Sequence, residues 1–303
     1  MEIRVLQYFL AVAKERNILA AAERLHISQP TLSRQLKTLE EELGKTLFIR
    51  GNRHITLTDE GLILRKRAEE VLMLINKTES EISVGGRDIA GDIHIGAVES
   101  EHIRIMAKAG RVLSAAHPNV RFHIIGGDAN FVYDQVENGL LDFGLVFYRT
   151  NPAKCECLTI KSKETWGLLM PKNAPLAKKE SLSPDDLRDI PLIVPQQFEE
   201  DNKVSHFLDS WLQYNSVELK IVATHSHLFG ASVMVEEGLG YTLCFDNTIY
   251  TERNTRLCFR PLNWEYEVIM YIVWKKNQVM SKAAGLFLET LRSSMDEDGF
   301  LRN

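Results

Sequence analysis

The stretch AAERLHISQPTLSRQLKTLEEELGKTLFIRGNRHITLTDEGL, residues 21 to 62, decides how the first part of this chain folds. Its middle opens on Ser28, whose hydroxyl suits a helix N-cap, and sets Pro30 in the first turn, where a missing N–H costs little. Leu32, Leu36, Leu39 and Leu43 follow at the spacing of one buried helical stripe, and Gly44 is placed to end the helix. Counting about 100° per residue from Leu32, Arg34 falls at about 200°, Lys37 at about 140° and Pro30 at about 160°, all away from the stripe. Short polar Gln29, Thr31 and Ser33 gather at the N-terminal end, while Glu40, Glu41 and Glu42 are held to the other. That polarity suits a helix entering the major groove of DNA by its N-terminus, where Gln reads adenine, Arg reads guanine, and Thr or Pro carbons touch a thymine methyl. Periodicity alone fits a solvated helix in a small bundle equally well.

Upstream, Leu6, Phe9, Leu10 and Ala13 form the apolar stripe of a first helix, Asn17 offers a cap, and ILAAAERL (18 to 25) is a short second helix before a tight turn at His26-Ile27. Downstream, Leu47, Phe48 and Ile49 make a short apolar strand, Arg50-Gly51-Asn52-Arg53 a turn, and Ile55 and Leu57 an alternating second strand. Arg50 and Arg53 at such a tip suit phosphates or a narrow minor groove, and a solvated hairpin tip accounts for them as well.

With its Ala-Ala-Glu-Arg-Leu helix, its Ser-Gln-Pro-Thr-Leu-Ser-Arg-Gln helix and its Leu-Phe-Ile-Arg wing, this run strongly resembles the winged helix-turn-helix of LysR-type transcriptional regulators. The resemblance covers nearly all of residues 1 to 62, with one departure at Asn17-Ile18-Leu19, where the family often has Ser-Phe-Thr. It implies that Ser28, Gln29, Pro30, Thr31, Ser33, Arg34, Lys37, Arg50 and Arg53 face double-stranded promoter DNA.

Thr58, Asp59 and Glu60 then open a longer helix. Leu57, Gly61, Leu64, Ala68, Val71, Ile75, Thr78 and Ile82 alternate by four and three, a coiled-coil seam that asks for a partner or for burial against its own chain. The resemblance implies a linker helix that pairs subunits through Leu64, Ala68, Val71, Ile75 and Ile82, giving a homodimer or a dimer of dimers. Gly85-Gly86 breaks the helix.

From Gly91 strands alternate with helices, which predicts a mostly parallel sheet: 92–98, 120–125 and 141–147 as strands, with Ser100 capping a helix to about Ala116 and another ending near Gly139. A second such unit starts at Thr165 with PLIVP, a helix over 202–214, LKIVAT and a helix ending at Gly238, and the last strand (265–274) and helix (278–295) return to the first. This layout resembles the effector-binding domain of the same family, so the predicted architecture is an all-α winged helix-turn-helix domain (1–58), a linker helix and hinge (59–90), and a two-lobed α/β, periplasmic-binding-protein-like effector domain (91–303). Lobe I takes about 91–161 and 265–303, and lobe II about 162–264. Ligands of open α/β sheets sit beyond the carboxyl ends of the strands. By that rule, and for Ser100 also by resemblance, Ser100, Asp128, Phe147, Tyr148, Gln196 and Gln197 are expected to meet a small-molecule effector, with a ligand carboxylate or hydroxyl at Ser100.

The rival class is a cytoplasmic small-metabolite-binding enzyme, but no Gly-x-Ser-x-Gly, P-loop or dinucleotide fingerprint is present. His225-Ser226-His227 and Cys155-Glu156-Cys157 lack companions at metal-ligand spacing, so neither a metal nor a cofactor is expected. The N-terminus lacks the pattern of a secretory signal, no stretch approaches 18 apolar residues, and four sparse cysteines suit reduced thiols, which together predict a soluble cytoplasmic protein without membrane contact. RNA polymerase joins the expected partners if the protein activates. The net charge of -5 speaks at first against a polyanionic partner. Resolved along the chain, nine basic and six acidic side chains give residues 1–58 a charge of +3, and the remaining 245 residues carry -8.

Overall fold

Side-chain caps start three of the first four helices. The computed structural model describes residues 1–51, 54–83, 89–148, 152–161, 164–196, 219–248, 256–263 and 268–295, with helix α1 at Ile3–Glu15, α2 at Ile18–Arg24 and α3 at Gln29–Leu43. Asn17 accepts from the N–H groups of Leu19 (2.8 Å) and Ala20 (3.2 Å), and Ser28 from that of Thr31 (3.3 Å), satisfying donors that have no partner inside a helix. Asn17, the point of departure from the family pattern, is thus a working cap.

Val5, Phe9 and Val12 of α1 pack with Ala21, Ala22, Leu32, Leu36 and Leu39. Leu10 and Ala13, expected in the stripe, are only half-buried, because Val5 and Val12 fill the i and i+7 places around Phe9. Leu43 is 42% exposed, since α3 ends one residue later at Gly44 (φ 64°) and the core is closed instead by Leu47 and Phe48. Strands β1 (Phe48–Arg50) and β2 (Ile55–Leu57) pair antiparallel, Phe48 opposite Leu57. Two bonds anchor this wing: Glu40 Oε1 accepts from Leu47 N–H (2.7 Å), and Ile55 N–H donates to the Arg16 carbonyl (3.0 Å). Arg53 and the side chain of Arg50 lie outside the described residues.

Helix α4 spans Asp59–Ser83, with the Thr58 hydroxyl accepting from Gly61 N–H at 3.0 Å. Gly61 abuts the Leu47 carbonyl where a Cβ would stand, Leu64 packs on the N-terminal core, and Ala68 is buried in the single chain. Helix α4 lies on α1 and β2, so of the expected seam Ala68 is covered within the single chain and Leu64 is half-buried against the core. Val71 is exposed, as are Leu62, Ile63 and Leu74, and Ile75 is half-buried. The side chain of Ile82 and the Gly85-Gly86 joint lie outside the described residues. The chain divides into two units, Met1–Gly85 and Gly86–Asn303.

The second unit holds two five-stranded sheets. In the first, β3 (Gly91–Ala97), β4 (Val120–Gly126), β5 (Phe143–Val146), β6 (Cys155–Lys161) and the final strand β12 (Ile269–Lys275) take the order β4-β3-β5-β12-β6. In the second, β7 (Trp166–Pro171), β8 (Pro191–Pro195), β9 (Lys220–His225), β10 (Tyr241–Phe245) and β11 (Leu257–Pro261) take the order β11-β7-β10-β8-β9. Four strands of each sheet point the same way, and one, β12 or β7, is reversed and pairs antiparallel with both neighbours. The expected mostly parallel sheet thus holds in both lobes apart from one reversed strand in each, the strand that enters after the chain crosses between lobes. Helices α5 (Ile103–Ala116), α6 (Ala129–Glu137), α7 (Leu228–Glu236) and α8 (Lys282–Ser294) flank the sheets. Phe287 of α8 packs on Phe122 and Phe143, ring centroids 5.3 Å apart in both cases. The helix expected over 202–214 lies outside the described residues. No helix among the described residues is long and apolar enough to cross a membrane.

Candidate functional site

Burial of Leu32, Leu36 and Leu39 determines which face α3 turns outward. On that face Ser28, Gln29, Pro30, Arg34 and Lys37 are exposed, with Thr31 and Ser33 half-buried. The Ser28 and Thr31 hydroxyls lie 2.8 Å apart, and the Gln29 amide donates to the Ser33 hydroxyl at 2.9 Å, so the polar end of the helix is pre-ordered by its own side chains. Lys37 stands 3.5 Å from Glu41 with both side chains well exposed, a pairing too solvated to hold the lysine back. Arg34 makes no ion pair among the described residues, and the first turn carries no acid. The result is a convex edge of donors at the positive end of a helix dipole, able to grip phosphates and base edges together.

The second unit contains a cavity of about 290 Å³ at the carboxyl ends of parallel strands from both lobes. Lobe I contributes Val98 and Glu99 after β3, Gly126 to Asp128 after β4 and Phe147 after β5; lobe II contributes Pro195 and Gln196 after β8, His225 to Leu228 after β9, and Phe245 and Thr248 at the end of β10. Of the expected contacts, Asp128, Phe147 and Gln196 line it. Ser100 and Tyr148 do not, and Gln197 lies outside the described residues.

Helix α5 begins only at Ile103, so Ser100 is not its cap; the hydroxyl is buried and donates to Glu164 Oε1 at 2.7 Å. His102 Nδ1 sits 2.7 Å from the same oxygen. With serine and histidine both turned to one carboxylate oxygen, the trio holds the crossover between lobes and offers no activated nucleophile. The Tyr148 hydroxyl donates to Asn130 at 2.5 Å, and its ring meets Phe147 edge-on at 5.4 Å, so it buttresses a wall residue.

Sequence reasoning missed Glu99, Trp166, His225 and Phe245 as lining residues. Applying the strand-end rule to β9 and β10 as it was applied to lobe I finds two of the four. Glu99 Oε2 reaches across to accept from Leu228 N–H (2.7 Å), and Asp128 Oδ1 accepts from Phe131 N–H (2.8 Å), so each acid caps a helix of the cavity wall. The Thr242 hydroxyl donates to the Ile193 carbonyl at 2.8 Å and therefore accepts from His225 Nε2 at 3.3 Å, which places the imidazole proton on Nε2. Burial, then the neighbouring His227, lowers the His225 pKa to about 4, so the ring is neutral near pH 7. Burial, then Asp246 and Glu99, pushes the Cys244 thiol up to about 12 and leaves it protonated. Among the described residues no group of three or more His, Cys, Asp or Glu side chains is placed to hold a metal ion.

A DNA-facing helix on a winged head and a ligand cavity in a separate two-lobed body define a ligand-responsive DNA-binding regulator. The model of the lysR family of bacterial regulatory helix-turn-helix proteins matches residues 3–62, and that of the LysR substrate binding domain matches residues 86–296. The chain belongs to the LysR family of regulators. It is similar to the HTH-type transcriptional regulator AlsR of Bacillus subtilis, 34% identical over 195 residues, which is 64% of either chain. It is also similar to the HTH-type transcriptional regulator XapR of Escherichia coli, 29% identical over 279 residues, 92% of this chain and 93% of that one. CbnR, a LysR family transcriptional regulator, shares the fold with a TM-score of 0.74 at 20% identity over 97% of this chain and 99% of its own. The same protein complexed with its target DNA gives a TM-score of 0.72 at 21% identity over the same shares.

Proposed function

We propose that the protein is a cytoplasmic transcription regulator whose grip on promoter DNA is modulated by a small molecule in the inter-lobe cavity. Residues 1–58 form the DNA-binding head, 59–90 the linker helix and hinge, and 91–303 the effector body, with lobe I at about 91–161 and 265–303 and lobe II at about 162–264. The observation that carries this reading is the outward face of α3, where Gln29, Arg34 and Lys37 stand exposed at the acid-free start of a helix whose other side is locked in the core. Ser28, Thr31, Ser33 and Pro30 complete the contact surface, and Arg50 and Arg53 extend it along the wing.

Full-length CbnR is known in complex with its target DNA, which supports the same use of the head here. Two heads are needed to read a two-fold site, so the working form is a homodimer or dimer of dimers, and RNA polymerase is a further partner if the protein activates. The effector meets Asp128, Phe147 and Gln196 and shifts the population between assemblies that differ in affinity for the operator. Footprinting and gel-shift titration against upstream DNA test the proposal. Salt-sensitive, sequence-selective protection is the expected result, and its absence removes the regulator reading.

A further inference from the structure

Helices α6 and α7 both begin at the cavity wall, one from each lobe, and the N-terminus of a helix is where a ligand anion ordinarily settles. In this chain both places are already filled by carboxylates of the protein. Asp128 Oδ1 holds Phe131 N–H, and Glu99 Oε2 holds Leu228 N–H. Their second oxygens, Asp128 Oδ2 and Glu99 Oε1, accept no hydrogen bond among the described residues, and the His227 ring approaches Glu99 Oε1 only to 3.9 Å, through Nδ1.

No lysine or arginine is among the described residues that line the cavity. His225 adds no positive charge either, because its Nε2 proton is committed to Thr242 and its buried Nδ1, without a partner, presents only a lone pair. An incoming carboxylate or phosphate would thus meet two carboxylates, with no lysine or arginine among the described lining residues to offset its desolvation. A donor-rich cation meets two half-used carboxylates, and bonds from a charged donor to a carboxylate are the strong ones.

Phe147, Trp166 and Phe245 give the cavity an aromatic wall, with the ring centroids of Trp166 and Phe245 4.2 Å apart and those of Phe147 and Phe245 5.8 Å apart. Aromatic rings attract a cation within about 6 Å of their centroids and accept flat or aliphatic groups by area. We propose that the cavity selects a small organic cation, an amine or guanidinium carried on an apolar or planar group; the proposal rests on the effector-site reading and specifies the ligand class of that site.

The test titrates the full-length protein with phenethylamine and agmatine, and with benzoate as an anion of similar size, by isothermal calorimetry and thermal shift. At least one of the two cations binds and raises the melting temperature, and benzoate does neither. Glu99→Gln and Asp128→Asn each weaken the cation by about tenfold or more, the scale of a lost charge-assisted bond, while the free protein melts near wild type because the amides still accept the capping N–H. Benzoate binding as tightly as the cations, neither cation binding, or cation affinity unchanged in both variants overturns the proposal. Ser226→Trp, at the exposed rim, separates the two levels of argument. If benzoate binds and this variant abolishes it, the cavity remains the effector site and only the cationic class falls; if bound ligand is indifferent to Ser226→Trp, the site itself is wrong.

Discussion

Arg34 projects from the middle of the exposed face of α3, and because it makes no ion pair among the described residues its removal takes away a donor without stranding a buried charge. Arg34→Ala is expected to weaken specific binding by about 1–3 kcal/mol and to relax sequence preference at one base pair. Gel-shift titrations over a set of operator variants check this, and a mutant indistinguishable from wild type on all of them is no base reader. His225 makes a different kind of prediction. Folding lowers its pKa from the ordinary value of 6.5 to about 4, so the unfolded chain takes up the proton first, and stability falls as pH drops from 6.5 towards 4. Below that window both states are protonated and the dependence from this residue ends. Denaturant melts at pH 7.5 and 4.5 should show a smaller loss for His225→Gln than for wild type; an identical loss would mean that His225 does not titrate across this range.

At the scale of elements, α4 shows how far a heptad pattern can be read. The alternation from Leu57 to Ile82 identifies a helix with one apolar stripe, but not what covers it. Contact with α1 and β2 buries Gly61 and Ala68, half-buries Leu64, and leaves Ile63, Val71 and Leu74 exposed. Two substitutions separate these faces. Ala68→Asp puts an unpaired charge in a buried position and lowers the melting temperature by the equivalent of about 3 kcal/mol or more. Leu74→Glu leaves the melting of the head near wild type and shifts the sedimentation profile to a smaller species. A sedimentation profile unchanged by Leu74→Glu would show that Leu74 takes no part in pairing. The three helices of the head, in contrast, were legible almost to the residue, because Asn17, Ser28, Pro30 and Gly44 act on neighbours a few positions away. Where the reading slipped, at Leu10, Ala13 and Leu43, the competing choice was which of two adjacent apolar residues faces the core.

For the whole molecule, charge is divided by unit, with +3 on residues 1–58 and -8 on the rest, so affinity for DNA is concentrated on the head and the body gains nothing by approaching a polyanion. Binding should weaken steeply with salt, log K falling linearly with log salt by about 0.9 per phosphate contact. Lys37→Ala should reduce the magnitude of that slope by about 1 with sequence preference intact. A slope equal to wild type across a salt series would show that Lys37 meets no phosphate.

By itself the amino-acid sequence determined the winged head, its outward face and the strand–helix alternation of the body, since caps, stripes and strand alternation act over a few residues and leave local marks. Only the tertiary structure completed the cavity, adding Glu99, Trp166, His225 and Phe245 to the expected Asp128, Phe147 and Gln196. Glu99, Asp128, Phe147, Trp166, His225 and Phe245 are scattered over almost 150 positions and meet because strands of two lobes end at one place. Ser100, one residue from Glu99, is turned away to Glu164 by the late start of α5, a choice made by three-dimensional packing and invisible in the order of residues.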